Sequence, residues 1–285
     1  MLLKPLGPMI FRWGGSTSML ISESVSGGLY EPLPLPSTVY GLLKYALSVN
    51  ELSVDSLKIS GPTFYVKGES KKTALCYHAY PSKLLCVSSD EPSKLTKIEI
   101  SEGEYIKLVG IHLDRRSKQA KEGYIYTYKA LDMELVAREV INGSVEESGI
   151  LVKVNYDGNL SKIDKFVGPL GGEGRLVKIK VLGEVKELPV YKEKKILHSP
   201  AIIEKYEDDK VCFKDQCMKV KNLVLNGDKL KLTYRLLSTG FNVNRREPMH
   251  LALMPPVEIE NNVSSIGMFT EKGFGSVSPG SLLDD

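Results

Sequence analysis

The sequence predicts an α+β protein that is rich in strands and poor in helices, and two observations lead to this class. Segments rich in β-branched and aromatic residues recur along all 285 residues, from Leu57–Lys67 to His250–Glu260. The segments with helical periodicity are separated by several strands, so a βαβ array with a parallel sheet is not expected. A chain of this length can bury a full core, as one large domain or as two of ordinary size.

The first half begins with a strand at Leu2–Phe11 that is interrupted by two prolines, followed by a Gly/Ser loop over residues 14–28. Ser37 is predicted to cap a helix, because apolar residues follow it at the spacing of one buried stripe: Val39, Leu42, Leu43, Ala46 and Leu47. Alternating tyrosines predict a later strand that continues through Met133 and Leu135. Further strands are predicted at Leu57–Lys67, Thr73–Tyr80, Lys83–Ser88 and Tyr105–Asp114.

In the second half, strands are predicted at Gly149–Tyr156 and Leu176–Leu182, with a short helix at Leu160–Phe166 between them. An Asn226-Gly-Asp228 turn predicts a hairpin that joins Leu223–Leu225 to Leu230–Leu236. The strand at His250–Glu260 carries Pro255-Pro256, so it is expected at a sheet edge or at a bulge.

The bulk composition is that of an ordinary globular protein, with 42% hydrophobic and 26% charged residues. The net charge is only +3, so any surface that attracts nucleic acid must be local. No apolar run has the length of a membrane span and the first residues lack a signal-peptide layout, which predicts a cytosolic protein. The four cysteines form no C-x-x-C pair; a zinc site at Cys76, His78 and Cys86 is one interpretation, and buried strand thiols are the favoured one.

Two glycine-rich segments are the most distinctive local features. The first, Gly168–Arg175, places four glycines within 168–174 and ends on a fixed positive charge. Such a loop can form an anion-binding nest with Arg175 as a bidentate donor, although these residues alone favour a tight turn with Glu173 and Arg175 as a solvated pair. The second segment is Gly267–Gly280. Neither has a Walker lysine, so binding through the backbone is expected rather than phosphoryl transfer.

Three basic spots suggest contact with a nucleic acid. The densest combines five cations with three tyrosines between residues 113 and 129, where cations could hold phosphates and rings could stack on bases. A charged hairpin loop is the alternative interpretation. The other two spots are Arg245-Arg246 and Phe11-Arg12-Trp13. The four histidines show no metal or nucleophile spacing, which predicts that the protein is not an enzyme.

Four blocks together resemble the CRISPR-associated RAMP superfamily, and within it the crRNA 5′-handle-binding (third) subunit of the type III-B Cmr effector complex. Phe11-Arg12 and Pro34-Leu-Pro-Ser-Thr-Val-Tyr-Gly-Leu-Leu43 resemble its Phe-Arg start and the beginning of its first helix. The segment from Gly110 to Tyr126 resembles its Leu-Asp-Arg…Glu-Gly-x-Leu-Tyr block. Gly171-Gly-Glu-Gly-Arg175 matches its signature, and Pro255-Pro256 with Gly273-Phe-Gly275 resembles its C-terminal part.

The resemblance implies two ferredoxin-like (RRM-like) units, expected at 1–145 and 146–285, that bind RNA without cleaving it or using a cofactor or metal. It implies that the chain grips the crRNA 5′ handle and docks a large polymerase/cyclase-like subunit and backbone RAMP subunits. A RAMP endoribonuclease using His112 or His78, and a purely structural subunit, remain open. The expected RNA-binding residues are Arg12, Trp13, Ser37, Arg115, Arg116, Lys118, Lys121, Tyr124, Tyr126, Gly171, Gly172, Gly174, Arg175, Arg245, Arg246, Gly273, Phe274 and Gly275.

Overall fold

The computed structural model describes residues 1–13, 30–113, 120–183, 188–214, 216–225, 230–238, 241–242, 247–248, 250–279 and 282; for 111–113, 120–126, 230, 241–242 and 247–248 it describes the backbone alone. The helices are α1 (Pro36–Val49) and α2 (Met133–Ile141), with 3-10 turns at Glu102–Glu104 and Leu160–Ile163. The strands are β1 (Leu2–Pro5), β2 (Lys58–Gly68), β3 (Thr73–Ala79), β4 (Lys83–Ser88), β5 (Thr96–Glu99), β6 (Tyr105–Leu113), β7 (Ala120–Leu131), β8 (Val145–Asn155), β9 (Val167–Pro169), β10 (Leu176–Lys180), β11 (Ile196–Leu197), β12 (Ala201–Ile203), β13 (Lys205–Glu207), β14 (Lys210–Phe213), β15 (Gln216–Lys221), β16 (Leu223–Leu225), β17 (Leu230–Leu232), β18 (Arg235–Ser238), β19 (Phe241–Asn242), β20 (Glu247–Pro248), β21 (Leu251–Met254), β22 (Val257–Ile259) and β23 (Val277–Ser278).

The largest sheet joins eight of the described strands in the order β5-β4-β3-β2-β8-β1-β10-β9, and its pairs are antiparallel. Because side chains alternate along a strand, this sheet has two apolar faces. Leu3 and Cys76 belong to the core shared with the buried stripes of α1 and α2. Leu2 and Leu75 face the other way and pack with residues of the second half such as Leu223. The sheet therefore lies between a helical layer and the strands of the second half.

The second half forms smaller antiparallel sheets, of which the larger two are β13-β14-β15-β22-β11-β23 and β12-β21-β18. The strand expected at His250–Glu260 is divided at Pro255 into β21 and β22, which belong to different sheets. Each part has a neighbour on both sides, so the expectation of an edge or a bulge is wrong. The prolines, which lack a backbone N–H, occupy the unpaired step between the sheets instead.

Most of the sequence-predicted elements are present, and two predictions about helices are wrong. Ser37 does not cap α1: the N-cap position is Leu35, which makes no side-chain hydrogen bond, and Pro36 begins the helix. Met133 and Leu135 are not strand residues, because α2 begins at Met133. Asp132 caps α2 by accepting from the N–H groups of Glu134 and Leu135.

Shorter elements also follow the sequence. The helix predicted at Leu160–Phe166 is a 3-10 turn over Leu160–Ile163. The predicted hairpin is present as β16 paired with β17, and its turn at 226–228 lies outside the described residues. Its second strand, expected to run to Leu236, ends at Leu232 instead, and β18 begins at Arg235 in a different sheet.

The cysteines are paired, so the prediction of free thiols is wrong. Cys76 and Cys86 are register partners on β3 and β4 and form a disulfide. Cys212 and Cys217 form another between β14 and β15, where they also lie directly opposite each other. This pairing occupies the thiols that a zinc site at Cys76 and Cys86 would need.

The α+β class is confirmed, whereas the ferredoxin-like description of its parts stays a prediction. The eight-stranded sheet contains strands from both predicted units, since β8 crosses the predicted boundary and β9 and β10 follow it. The division at 145/146 likewise stays a prediction. Neither helix in the described ranges has the length and apolar character needed to cross a bilayer.

Candidate nucleic-acid interface

Trp13 lies at the centre of the region where the predicted site residues meet. Its indole N–H donates to the carbonyl of Leu33 at 2.8 Å, and its ring lies 4.1 Å from the His78 ring, centroid to centroid. The side chain is only 7% exposed. Trp13 is therefore a fixed wall of the site and not a freely projecting stacking platform.

The His78 ring that contacts Trp13 is itself held by a buried polar pair with Glu31. His78 Nε2 lies 2.8 Å from Glu31 Oε2, and the same oxygen accepts the backbone N–H of Ser82 at 2.7 Å. Glu31 and His78 are both fully enclosed. Burial, and then the negative charge of Glu31, raises the pKa of nearby Tyr105 to about 12, so this phenol stays neutral. Glu31 was missed from the sequence, where no motif or spacing connects it to His78.

The glycine-rich loop packs against the strand segment that carries Arg12. Gly171 has φ +84°, and a Cβ there would stand 2.4 Å from the carbonyl oxygen of Ile10. The next residue, Gly172, donates its N–H to that oxygen at 2.9 Å. Gly172 itself does not require glycine, because its φ is not positive and a Cβ would lie an ordinary 3.4 Å from the Ile10 side chain. Gly174 has φ +65° beside open space.

Arg175 connects this loop to the long hairpin β6–β7. Its Nη2 donates to the hydroxyl of Tyr128 at 3.1 Å, and its guanidinium carbon lies 5.8 Å from the centre of that ring. The sequence predicted a carboxylate or RNA as its partner, and the partner within the described chain is a tyrosine. The buried Nε of Arg175 has no hydrogen-bond partner in the described part of the structure.

Two pockets open on either side of Trp13 and Leu35. The arginine pocket, of about 290 Å³, is lined by Arg12, Thr38, Gly171 and Gly172 among others. The aromatic pocket, of about 350 Å³, is lined by residues that include Ser37, Ile202, Met254, Phe269, Lys272 and Phe274. The fold thus brings together predicted residues from four remote segments: Arg12 and Trp13, Ser37, Gly171 and Gly172, and Phe274.

The arginine pocket has the electrostatics of an anion site. Arg12 stacks over Tyr30, with 5.3 Å from its guanidinium carbon to the ring centre, and its buried Nε has no hydrogen-bond partner within the described ranges. The first turn of α1 adds the partial positive charge of a helix N-terminus, with no capping side chain and no acidic residue in that turn. An anion in this pocket would meet a guanidinium, a helix end and a glycine backbone.

The other predicted residues are placed differently or lie outside the description. Gly273 and Gly275 are buried, and a Cβ on either would meet this chain's own backbone at Gly61 or Ile266, so internal packing accounts for both glycines. Lys121, Tyr124 and Tyr126 lie on β7, which pairs with β6 from Leu131 to Ala120 with one irregularity in register. Arg115, Arg116, Lys118, Arg245 and Arg246 lie outside the described residues. Their roles stay predictions.

The fold and the two pockets define a strand-rich α+β protein with a candidate surface for binding anions and aromatic rings. A comparison with protein-family models found no match, and neither did a comparison with curated proteins. Among solved structures, the chain is similar to one in the cryo-electron microscopy structure of the type III-B Cmr-β bound to cognate target RNA. That match has a TM-score of 0.53 at 17% identity and covers 91% of this chain and 86% of the other. The same assembly bound to target RNA and AMPPnP gives a TM-score of 0.52 at 17% identity, covering 90% and 85%. These matches show a shared fold over nearly the whole length of both chains.

Proposed function

We propose that this chain is a non-catalytic RNA-binding subunit of a type III-B CRISPR (Cmr) complex, built from RAMP-type ferredoxin-like units. It grips the 5′ repeat handle of the crRNA and docks the large polymerase/cyclase-like subunit. The observation that carries the proposal is the convergence of Arg12, Trp13, Ser37 and Gly171-Gly172 on adjoining pockets in a chain with this fold.

The chemistry of the two pockets suits single-stranded RNA. Arg12, whose Nε has no partner among the described residues, and the uncapped start of α1 would bind phosphate oxygens, which fix the position of the strand but not its sequence. The apolar walls beside them would receive rings of unstacked bases, the usual targets of RNA recognition outside duplexes. Gly171 lets the loop approach the Arg12 segment closely enough to form one wall.

The nuclease alternative has less support at His78. This side chain is 1% exposed and is held against Glu31, so it is not positioned to exchange a proton with a bound ribose. His112 is outside the described side chains. Incubating the purified chain with repeat RNA in EDTA tests this alternative: specific cleavage that is lost on His112→Ala would replace the proposal with the nuclease.

The binding role is tested by crosslinking within the assembled complex. Guide RNA containing 4-thiouridine is expected to crosslink to this chain, and Arg12→Ala should lower both the crosslink yield and the retained guide. Arg138→Ala is the matched control, because Arg138 lies on the exposed side of α2, where it pairs with Glu134 one helical turn away. A complex that keeps its guide and gives no crosslink to this chain would favour a purely structural subunit.

A further inference from the structure

We propose that the aromatic pocket binds one unpaired nucleobase of the RNA, with Phe269 as the stacking surface. The inference rests on the proposed function and assigns a ligand class to one particular pocket. It predicts that a single nucleotide, and not the strand as a whole, depends on this pocket.

The shape and lining of the pocket suit a flat heteroaromatic ring. Its volume of about 350 Å³ lies in the range of small-molecule sites, and its walls are mostly apolar, formed by residues such as Ile202, Ala252 and Met254. A few polar groups stand among them, including Ser37 and His250. This combination of apolar faces with a few hydrogen-bonding edges is what an unstacked base requires.

Phe269 is held in an unusual exposed position at this pocket. The residue has φ +59°, which is rare for a bulky side chain, and 38% of it is exposed. Its ring is fixed by an edge contact with His250 at 6.0 Å and by the Lys272 ammonium 4.6 Å from the ring centre. Strained backbone that presents an aromatic ring to solvent is a reason to look for a ligand of that ring.

The neighbouring cations favour a nucleotide over an apolar protein side chain. The aromatic pocket shares Trp13 and Leu35 with the arginine pocket, so a phosphate at Arg12 would bring its base to the next opening. Lys272 lines the aromatic pocket itself and adds a second cation. The described lining of both pockets includes arginine, lysine and histidine but no carboxylate, which complements a polyanion.

The test is a double-mutant cycle that combines Phe269→Ala in the protein with an abasic site in the RNA. The full chain is titrated with the guide segment recovered from the complex, resynthesised with an abasic site moved one position at a time. One abasic position should weaken binding roughly 5- to 150-fold, the range for loss of one stacked base, and Phe269→Ala should cost about the same. Combining the two should cost no more than either alone.

Two variants provide the controls. Phe269→Tyr keeps the ring and should restore binding, and Tyr45→Ala removes another exposed aromatic, on α1 outside both pockets, without effect. Tight binding in which no abasic position couples to Phe269 would overturn the pocket assignment and leave the proposed function intact. Loss of complex assembly with unchanged RNA affinity in Phe269→Ala would assign the pocket to a protein partner instead. A full chain and complex that do not bind RNA at all would overturn both.

Discussion

Adjacent glycines in the glycine-rich loop allow a matched test of why the loop has its sequence. In Gly171→Ala, the new side chain would require φ +84°, a conformation that costs an L-residue about 1–2 kcal/mol. Its Cβ would also stand 2.4 Å from the Ile10 carbonyl oxygen, about 1 Å closer than an ordinary contact. That oxygen cannot rotate away, since it belongs to the backbone and accepts the Gly172 N–H.

Moving the Ile10 carbonyl would sacrifice this hydrogen bond, which contributes about 0.5–1.5 kcal/mol. We therefore expect Gly171→Ala to lower the free energy of unfolding by about 1.5–3.5 kcal/mol. Gly172→Ala is the control, because its φ is not positive and its Cβ would have room, so we expect a change below about 1 kcal/mol.

Urea unfolding followed by Trp13 emission measures both variants. Trp13 is the only tryptophan of the chain and lies three residues from Ile10, so it also reports a local displacement of this segment. Gly171→Ala should shift the native emission of Trp13 before any unfolding occurs. Equal destabilisation by the two substitutions would refute the argument, because it would show that neither φ nor the Ile10 contact determines the cost.

Three further predictions concern charge. Arg175→Ala should change the free energy of unfolding by less than about 1 kcal/mol, because the residue is half-exposed and loses one hydrogen bond to Tyr128. The same variant should retain less guide RNA in the complex. If it unfolds instead, the role of Arg175 is structural. Changing Arg115, Arg116 and Lys118 together to alanine should flatten the dependence of log affinity for single-stranded RNA on log salt by about 2, at ~0.7 per lost phosphate contact, and an unchanged slope would remove this loop from the interface. Burial lowers the pKa of His198 from 6.5 to about 3. Between these two pH values, His198 is protonated in the unfolded chain but neutral in the folded chain. This contribution to stability is complete above about pH 6.5 and decreases by up to about 1.4 kcal/mol per pH unit as the pH falls toward 3. Denaturant titrations at pH 7, 5 and 4 should show a shallower acid loss in His198→Gln, and identical slopes would contradict the assignment.

Local signals in the sequence predicted much of the sheet but not how its parts meet. The stripe from Val39 to Leu47 was sufficient to predict α1, because one face of a helix repeats every three to four residues. The same periodicity from Met133 to Ile141, preceded by the capping Asp132, was present for α2 but was obscured by the alternation of the preceding tyrosines. The two-residue repeat of the strand and the helical repeat of α2 overlap near Met133, and the strand was predicted to continue too far.

Other features depend on register, which composition does not reveal. The Cys76–Cys86 disulfide follows from the pairing of β3 with β4 across a short turn, a pairing that places the two residues directly opposite. The partner of Arg175 is likewise set by where the β6–β7 hairpin crosses the glycine loop. Phe269 and Lys272 were passed over because their importance arises only when the last glycine-rich segment folds beside Trp13.

The position of β1 has a consequence for how this chain is made. Leu3 pairs with Ile150 on one side and Ile179 on the other, so β1 is synthesised long before the two strands that it pairs with. At about 5–20 residues per second, that delay is on the order of ten to forty seconds. During it, the apolar edge of a nascent strand is open to other chains, and topologies with such distant pairings also fold slowly. The yield of native protein should therefore depend on translation speed and on chaperones that hold the early segment until residue 180 has emerged.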